Sequence, residues 1–464
     1  MGRRRWLFFG IWWLFWAAWT PTAFGAVLPA SQWETRGQLL GRVYQDMEED
    51  SSLEESQAMD TRFYLDNTWK WEKQGVEAVM NVEARVEGWW GEEFDSQANL
   101  FVRDAYVRIK KQRYTLRLGQ QTVTWGKLDD FALLDRVSPQ DYQWFALFDL
   151  QERKLPALMG RYNYYGDNWQ LEAVFLPFFK SSQLHFFGSD WSVFGHLKES
   201  VANGSFSAAV KDVVRRVVIE EKDRVMDQAL TNAQVGLRAG GRWGEVDYMV
   251  YFLSVLHSIP VLREKTSTGN TLKRFLYEPT SANLASLTAA NPSDEDLVLQ
   301  REHPRTQIVG LDWETVWGAY GLRGEAAVTF NAPYLREDMA YTQKDTISIG
   351  VGVDHTTVDN LYLNFQFVTN YVLDGKALFV QQPWDQQLTG TVRQGFWRDK
   401  LRVQMDWAWS PSYLDWMINP EIQYKTRADA RLAMGLFAFG GKSTTVFGRY
   451  ADKGLVYVEW TWWF

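Results

Sequence analysis

The chain has 464 residues, with 49 basic and 57 acidic side chains, a formal net charge of −8, five histidines, 25 tryptophans and no cysteine. Without cysteine there is no disulfide framework, thiolate metal site or thiol nucleophile, and a thiol-free chain suits an oxidising compartment. An acidic chain without basic clusters gives no reason to expect a nucleic-acid partner.

Arg3, Arg4 and Arg5 precede an apolar run from Leu7 to Trp19 and the small-x-small triplet Ala23-Phe24-Gly25. This order reads as a secretory signal peptide over residues 1–25, removed on export, followed by one domain over 26–464. No later apolar run approaches the ~18 residues that a membrane helix needs. Alternation takes over instead. A strand is expected at 36–46, then a loop whose acids, Glu48-Glu49-Asp50 and Glu54-Glu55, read as solvated charge. The clearest segment is 76–88. Val76, Ala78, Met80, Val82, Ala84 and Val86 share one face, and Glu77, Asn81, Glu83, Arg85 and Glu87 the other. Period two means a strand with one apolar and one polar face. Strands of soluble sheets usually have ~5–6 residues; this one exceeds the ~9–11 that cross a bilayer at a tilt.

Similar alternation recurs at 115–118, 169–175, 245–252, 320–329, 347–354, 361–367 and 401–407. Short polar turns separate some segments, and three long connections separate others, at 121–155, 178–232 and 258–304. The first carries Phe131, Tyr142, Trp144, Phe145 and Phe148 and is predicted to fold inward and narrow the lumen. The second has Phe206, Val210, Val213, Val214 and Val217 at helical spacing after Asn203-Gly204-Ser205, which predicts a short capped helix. The third is richer in Ser, Thr, Asn and Glu and reads as mobile. Tryptophans recur at segment ends, where an indole at a membrane–water boundary would sit.

The chain closes with Val456, Val458, Trp460, Trp462 and Phe464 on one face of a last strand. That ending resembles the closing strand of outer-membrane barrels, in which Trp460, Trp462 and Phe464 would form the signal read by the assembly machinery. Pairing hairpins back from Phe464 gives about eighteen strands, an even number as single-chain bacterial barrels require. Sixteen is the fallback, because 388–396 and 413–425 alternate weakly. The expected fold class is therefore all-β, a transmembrane antiparallel β-barrel with a short helix in a long extracellular loop.

One stretch carries a more specific pattern: Leu118-Gly119-Gln120-Gln121-x-x-x-Trp125-Gly126-Lys127, then Asp135-Arg136-Val137-Ser138-Pro139-Gln140-Asp141, then Leu155-Pro156-Ala157-Leu158-Met159. It resembles a bacterial outer-membrane, porin-like family catalogued mainly as a domain of unknown function, and more loosely the alginate-export type of eighteen-stranded barrel. Ser138 stands where that pattern often has Asn. The resemblance implies passage of a solute across the outer membrane of a Gram-negative bacterium without fixing which solute.

Two residue sets could carry such a function. The lumen lining would include Glu77, Glu83, Arg85, Glu87, Asp104, Arg108, Arg117, Arg323 and Glu325, with Glu172, Arg238, Glu245, Asp247, Asp312, Glu314, Arg402 and Asp406 beside them. Opposed acids and arginines would sieve solutes by charge and size, or simply hold the barrel's shape. The constriction loop would present Trp125, Lys127, Asp129, Asp130, Asp135, Arg136 and Asp141. Its charges serve either to anchor the loop, the favoured reading, or to touch solute through Lys127 and Arg136. Aromatic residues at 175–194 read as a loop core or a receiving patch. No catalytic residues, cofactor or metal are expected, and the five histidines show no ligand spacing. His257 with Ser254 or Ser258 would be the one hydrolytic alternative. A plugged docking barrel, serving an export or electron-transfer assembly, is the other. Expected partners are outer-membrane lipids and lipopolysaccharide, the barrel assembly machinery and a small solute, with a homo-oligomer left open.

Overall fold

Eighteen strands among the described residues form one closed antiparallel sheet, the parity and number expected from the alternation. The computed structural model describes residues 31–47, 57–71, 75–90, 94–129, 131–145, 147–221, 230–376, 378–379 and 382–464. The expected signal peptide, the acidic run of the first loop and Asp130 lie outside these residues. The barrel begins with β1 (Ser31–Asp46), β2 (Gln57–Trp71), β3 (Val76–Trp90), β4 (Phe94–Lys110), β5 (Tyr114–Gln121), β6 (Ala157–Tyr165) and β7 (Trp169–Leu176). A short strand outside the barrel, β8 (Val218–Glu221), precedes β9 (Gln234–Trp243) and β10 (Val246–Leu256); two more, β11 (Val261–Glu264) and β12 (Val298–Glu302), follow. The barrel resumes with β13 (Arg305–Trp317), β14 (Tyr320–Leu335), β15 (Tyr341–Thr356), β16 (Leu361–Val372) and β17 (Trp384–Phe396). It ends with β18 (Leu401–Ser410), β19 (Asp415–Arg427), β20 (Ala430–Gly440) and β21 (Leu455–Trp463). The weakly alternating segments are thus true strands, β17 and β19.

Each barrel strand pairs with the next, and β21 returns to β1, with Tyr44 opposite Tyr457 and Leu39 opposite Trp462. Closure removes every unpaired edge, which a sheet in hydrocarbon requires. Short turns such as 111–113, 166–168 and 318–319 all lie at one end, and the long connections at the other. Outer-membrane barrels divide their connections in this way.

The alternation sorts side chains as the sequence implies. Leu118, Leu237, Val250, Val309, Ile349, Val403, Ile422, Met434 and Val458 are exposed on the outer wall, while Tyr457, Glu459 and Thr461 of β21 are buried inside. An apolar surface that encircles the molecule calls for an apolar solvent. Trp169, Trp243, Trp317 and Trp397 stand exposed near the short-turn end, and Trp384, Trp409 and Trp416 near the other, as two girdles would.

At the seam, Gly37 and Phe464 exchange backbone hydrogen bonds of 2.8 and 3.0 Å, and the Phe464 ring lies 6.0 Å from that of Phe63. A Cβ on Gly37 would come within 2.1 Å of the Phe464 ring. Gly37→Val is therefore expected to push the terminal ring off the wall and lower the temperature at which the folded, fast-migrating form converts on gel electrophoresis. An unchanged conversion temperature would show that the seam does not depend on that contact.

The loops above the long-loop end are not as expected. Four α-helices among the described residues fold there: α1 (Leu197–Asn203), α2 (Ala208–Arg215), α3 (Gly269–Tyr277) and α4 (Ser281–Ala289). The predicted helix in the second loop exists as α2, but Ser207 caps it, accepting from the Val210 N–H at 3.4 Å, and not residues 203–205. The third loop, read as mobile, is ordered: Leu272, Phe275, Leu276, Leu284 and Leu287 are buried against Val201, Val213, Val214 and Val217 of the second. A small sheet of β11, β12 and β8 completes this cap. Its apolar residues lie on two separate loops, so neither loop alone displays a core.

Candidate functional site

The lumen is crossed by the connection 122–156. One half of this loop docks on the wall of β9, β10 and β13–β16. Trp125 is fully buried, its ring 5.6 Å from that of Tyr251, with Arg238 over its face at 5.3 Å. Its indole N–H donates to Glu172 at 3.1 Å, and Glu172 also binds Arg161 at 2.6 Å and Arg238 at 2.7 Å. The main attachment is Glu325 of β14. Its two oxygens accept from four backbone N–H groups: Lys127 at 2.5 Å and Leu128 at 2.8 Å on one, Leu133 at 2.7 Å and Leu134 at 3.2 Å on the other. Such charge-assisted bonds are about twice as strong as neutral ones. Gly126, at φ +91°, makes this approach possible, because a Cβ there would stand 2.4 Å from the Glu325 carboxylate. The wall is notched to receive the loop: added Cβ atoms on Gly310 and Gly350 would meet Leu134 at 2.3 Å and Leu128 at 2.4 Å.

The other half docks on β1–β4. Phe148 is buried beneath guanidinium groups of Arg62 at 3.8 Å, Arg42 at 5.5 Å and Arg85 at 5.9 Å, a cation–π stack. Asp141 pairs with Arg85 at 3.0 Å, and Trp144 donates its indole N–H to Glu87 at 3.0 Å. Glu152 receives Arg42 at 2.9 and 3.0 Å, with Arg62 3.7 Å away. Burial pushes the Glu152 carboxyl up, but Arg42 and Arg62 overcome this and hold it down at about 2. Arg103 donates to the backbone oxygens of Gln151, Glu152 and Lys154.

The predicted constriction-loop residues other than Asp130 therefore lie inside the barrel, on its two opposite walls, and most of their charges meet partners. Lys127 reaches Glu314 at 2.7 Å, and Asp129 binds Arg323, Asn364 and Gln366. Asp135 pairs with the buried Lys154 at 2.5 Å, and Arg136 donates to its own loop at Leu133. Ser138, the departure from the family pattern, accepts from the Val123 N–H at 2.8 Å and so closes that turn. Among the lining residues, Glu83 sits between Arg85 at 3.1 Å and Arg103 at 2.9 Å, and Glu77 pairs with Arg108. Asp104 accepts from the Thr122 N–H at 3.2 Å. Arg117 lies in register between Arg108 and Arg161, over the Tyr106 ring at 6.0 Å. Asp312 accepts from Tyr251, and Glu245, Asp247, Glu314 and Arg323 line an open vestibule at the short-turn end. Arg42, Arg62, Glu152 and Lys154 are attachments that sequence reasoning missed; only the acid–base run at 152–154 hinted at them. The aromatic stretch at 175–194 divides. Phe186, Phe187 and Phe194 pack on the cap core, and Phe175 faces outward. The His257 ring meets the Ile259 carbonyl and the Ser254 hydroxyl meets Arg305, so the two make no nucleophile–base pair.

A family model described as a protein of unknown function, DUF1302, matches residues 40–464. The chain belongs to the DUF1302 family. The family thus spans every barrel strand from within β1 onward and includes the lumen loop. Among curated proteins, none matches this DUF1302 chain. Among solved structures, the DUF1302 barrel is similar to OccK8 (OprE) of Pseudomonas aeruginosa, at 9% identity over 93% of this chain and 98% of that one, with a TM-score of 0.51. OccAB1 of Acinetobacter baumannii is similar at 8% identity over 93% and 96%, with a TM-score of 0.49. The first likeness carries the fold, and nothing about a solute.

Proposed function

We propose that this protein is a porin-like channel of a Gram-negative outer membrane, exported with a cleaved signal peptide, for passive or facilitated passage of a small solute. The observation that carries the reading is the polar lumen, partly filled by a loop held through buried charge, with water-accessible space above and below. A channel selects by narrowing and by the field of its lining charges. In this reading the loop 122–156 sets the width, and the Glu77–Arg108 and Arg85–Asp141 walls set the field. The terminal aromatics Trp460, Trp462 and Phe464 address the assembly machinery. The test is purified, heat-modifiable protein in planar bilayers. Discrete conductance steps are expected, and a folded protein that carries no current would sink the reading.

One observation favours a second reading. The loop grips the wall on both sides, as a plug would. A plugged docking barrel conducts only after residues 122–156 are replaced by a short turn, whereas a channel conducts before and gains afterwards.

A further inference from the structure

We infer that the solute path follows the wall of β18–β21 and β1, that Tyr44 separates its two chambers, and that its solute is a neutral polyhydroxylated ring. This rests on the channel reading above. On the long-loop side of the crossing loop lies a chamber of about 270 Å³, faced by the rings of Tyr44, Trp144, Phe187 and Trp191 with Gln97 and Gln143. Beyond it lies a smaller cavity of about 100 Å³ lined by Gln404, Asp406, Asn419, Glu421 and Gln423. Tyr44 belongs to both linings. Its ring stacks on Trp144 at 5.8 Å and lies 6.2 Å from the Tyr457 ring, so the three form a septum. The Tyr44 hydroxyl is buried without a hydrogen-bond partner. An unsatisfied buried hydroxyl is costly, and a solute hydroxyl passing the septum is the partner it lacks.

The chemistry of the two linings narrows the solute. Aromatic faces with amides at the rim suit a ring that has a C–H face and hydroxyl edges. The upper chamber falls just short of the ~300 Å³ at which ligand pockets begin, so it houses one sugar ring at a time. No arginine faces it, its Lys453 lies 3.4 Å from Asp190, and Asp46 adds a further acid, so this lining too disfavours anions. In the lower cavity both arginines are engaged by Glu459, Arg42 at 2.6 Å and Arg431 at 2.5 Å. Asp149, Asp406 and Glu421 remain without a basic partner in that lining, so the field there opposes anions. The side-chain amides of Gln404, Asn419 and Gln423 offer donors and acceptors without charge.

The experiment uses the full chain in planar bilayers with maltose and glucuronate as probes. Maltose is expected to interrupt the current at a concentration at least tenfold below that of glucuronate. Trp191→Ala is expected to raise the half-blocking maltose concentration at least tenfold. Tyr44→Ala, checked for folding by heat-modifiability, is expected to raise the conductance severalfold, and Tyr44→Phe far less. Glucuronate blocking as well as maltose, or wild-type conductance in Tyr44→Ala, overturns the inference. A conducting channel that neither probe blocks also overturns it and leaves the channel reading standing. If no current passes at all, that reading fails. Maltose quenching of tryptophan fluorescence in detergent, lost in Trp191→Ala, then still reports on the upper chamber; no quenching would end the inference there too.

Discussion

Glu325→Ala is expected to release the lumen loop and raise single-channel conductance severalfold. One carboxylate accepts the backbone N–H groups of Lys127, Leu128, Leu133 and Leu134. Hydrogen bonds to charged groups contribute ~1.5–3 kcal/mol each. Four of them at the lower figure amount to roughly 6 kcal/mol, and no other side chain among the described residues reaches all four N–H groups. Alanine leaves these donors inside the apolar cluster of Leu128, Leu133, Leu134 and Ile308, a cost of ~1–3 kcal/mol per group unless water enters. Water entry itself means an open lumen. Glu325→Gln sharpens the test, because the amide keeps one acceptor oxygen but turns an NH2 toward the second pair of N–H donors. It should fall between wild type and alanine. The checks are conductance and protease cleavage within 122–156; a variant with wild-type current and an uncut loop would show that Glu325 does not hold it.

Acidification is expected to loosen the opposite half of the loop through Glu152. The sign follows from its depressed pKa: folding holds this carboxyl at about 2 against an ordinary 4.5. The docked form therefore gains stability that is fully present above 4.5 and is lost as the pH falls toward about 2. At ~1.36 kcal/mol per pH unit the contribution is roughly 3 kcal/mol, consistent with a carboxylate that is only 19% exposed and faces two arginines. Glu152→Gln should weaken docking by a similar amount at neutral pH, because it leaves Arg42 and Arg62 without that charge. It should also flatten the rise of conductance between pH 4.5 and 2. An unaltered pH profile in the glutamine variant would assign the acid response to other carboxylates.

The barrel was legible because period two is a local property. Val76 to Val86 and Val456 to Trp462 each declare two faces without help from the rest of the chain. The inward loop was legible for a similar reason, since Trp144, Phe145 and Phe148 have no place in water. Its attachments were hidden. Glu325 reads as one more lumen acid, since its partners are backbone groups about 200 positions earlier that have no side-chain signature. Gly126 beside Trp125 was the available clue to a close approach. The cap helices were hidden differently: Leu272 and Leu276 show helical spacing, but their partners Val213 and Val217 belong to another loop. Ser- and Thr-rich flanks that suggested mobility include a helix cap, Thr280, which accepts from the Asn283 N–H at 3.2 Å.

Arg42 ties three parts of the chain together: it belongs to the first strand, binds Glu459 of the last, and binds Glu152 of the lumen loop. Glu459 is 417 positions away from it and Glu152 only 110. The loop is made early, yet its seat is finished only when the final strand arrives. Until then Arg42 has half of its acids. A strand other than β21 joined to β1 would leave Arg42 with Glu152 alone, so the seat of the loop on β1 and the closing of the circle share one guanidinium.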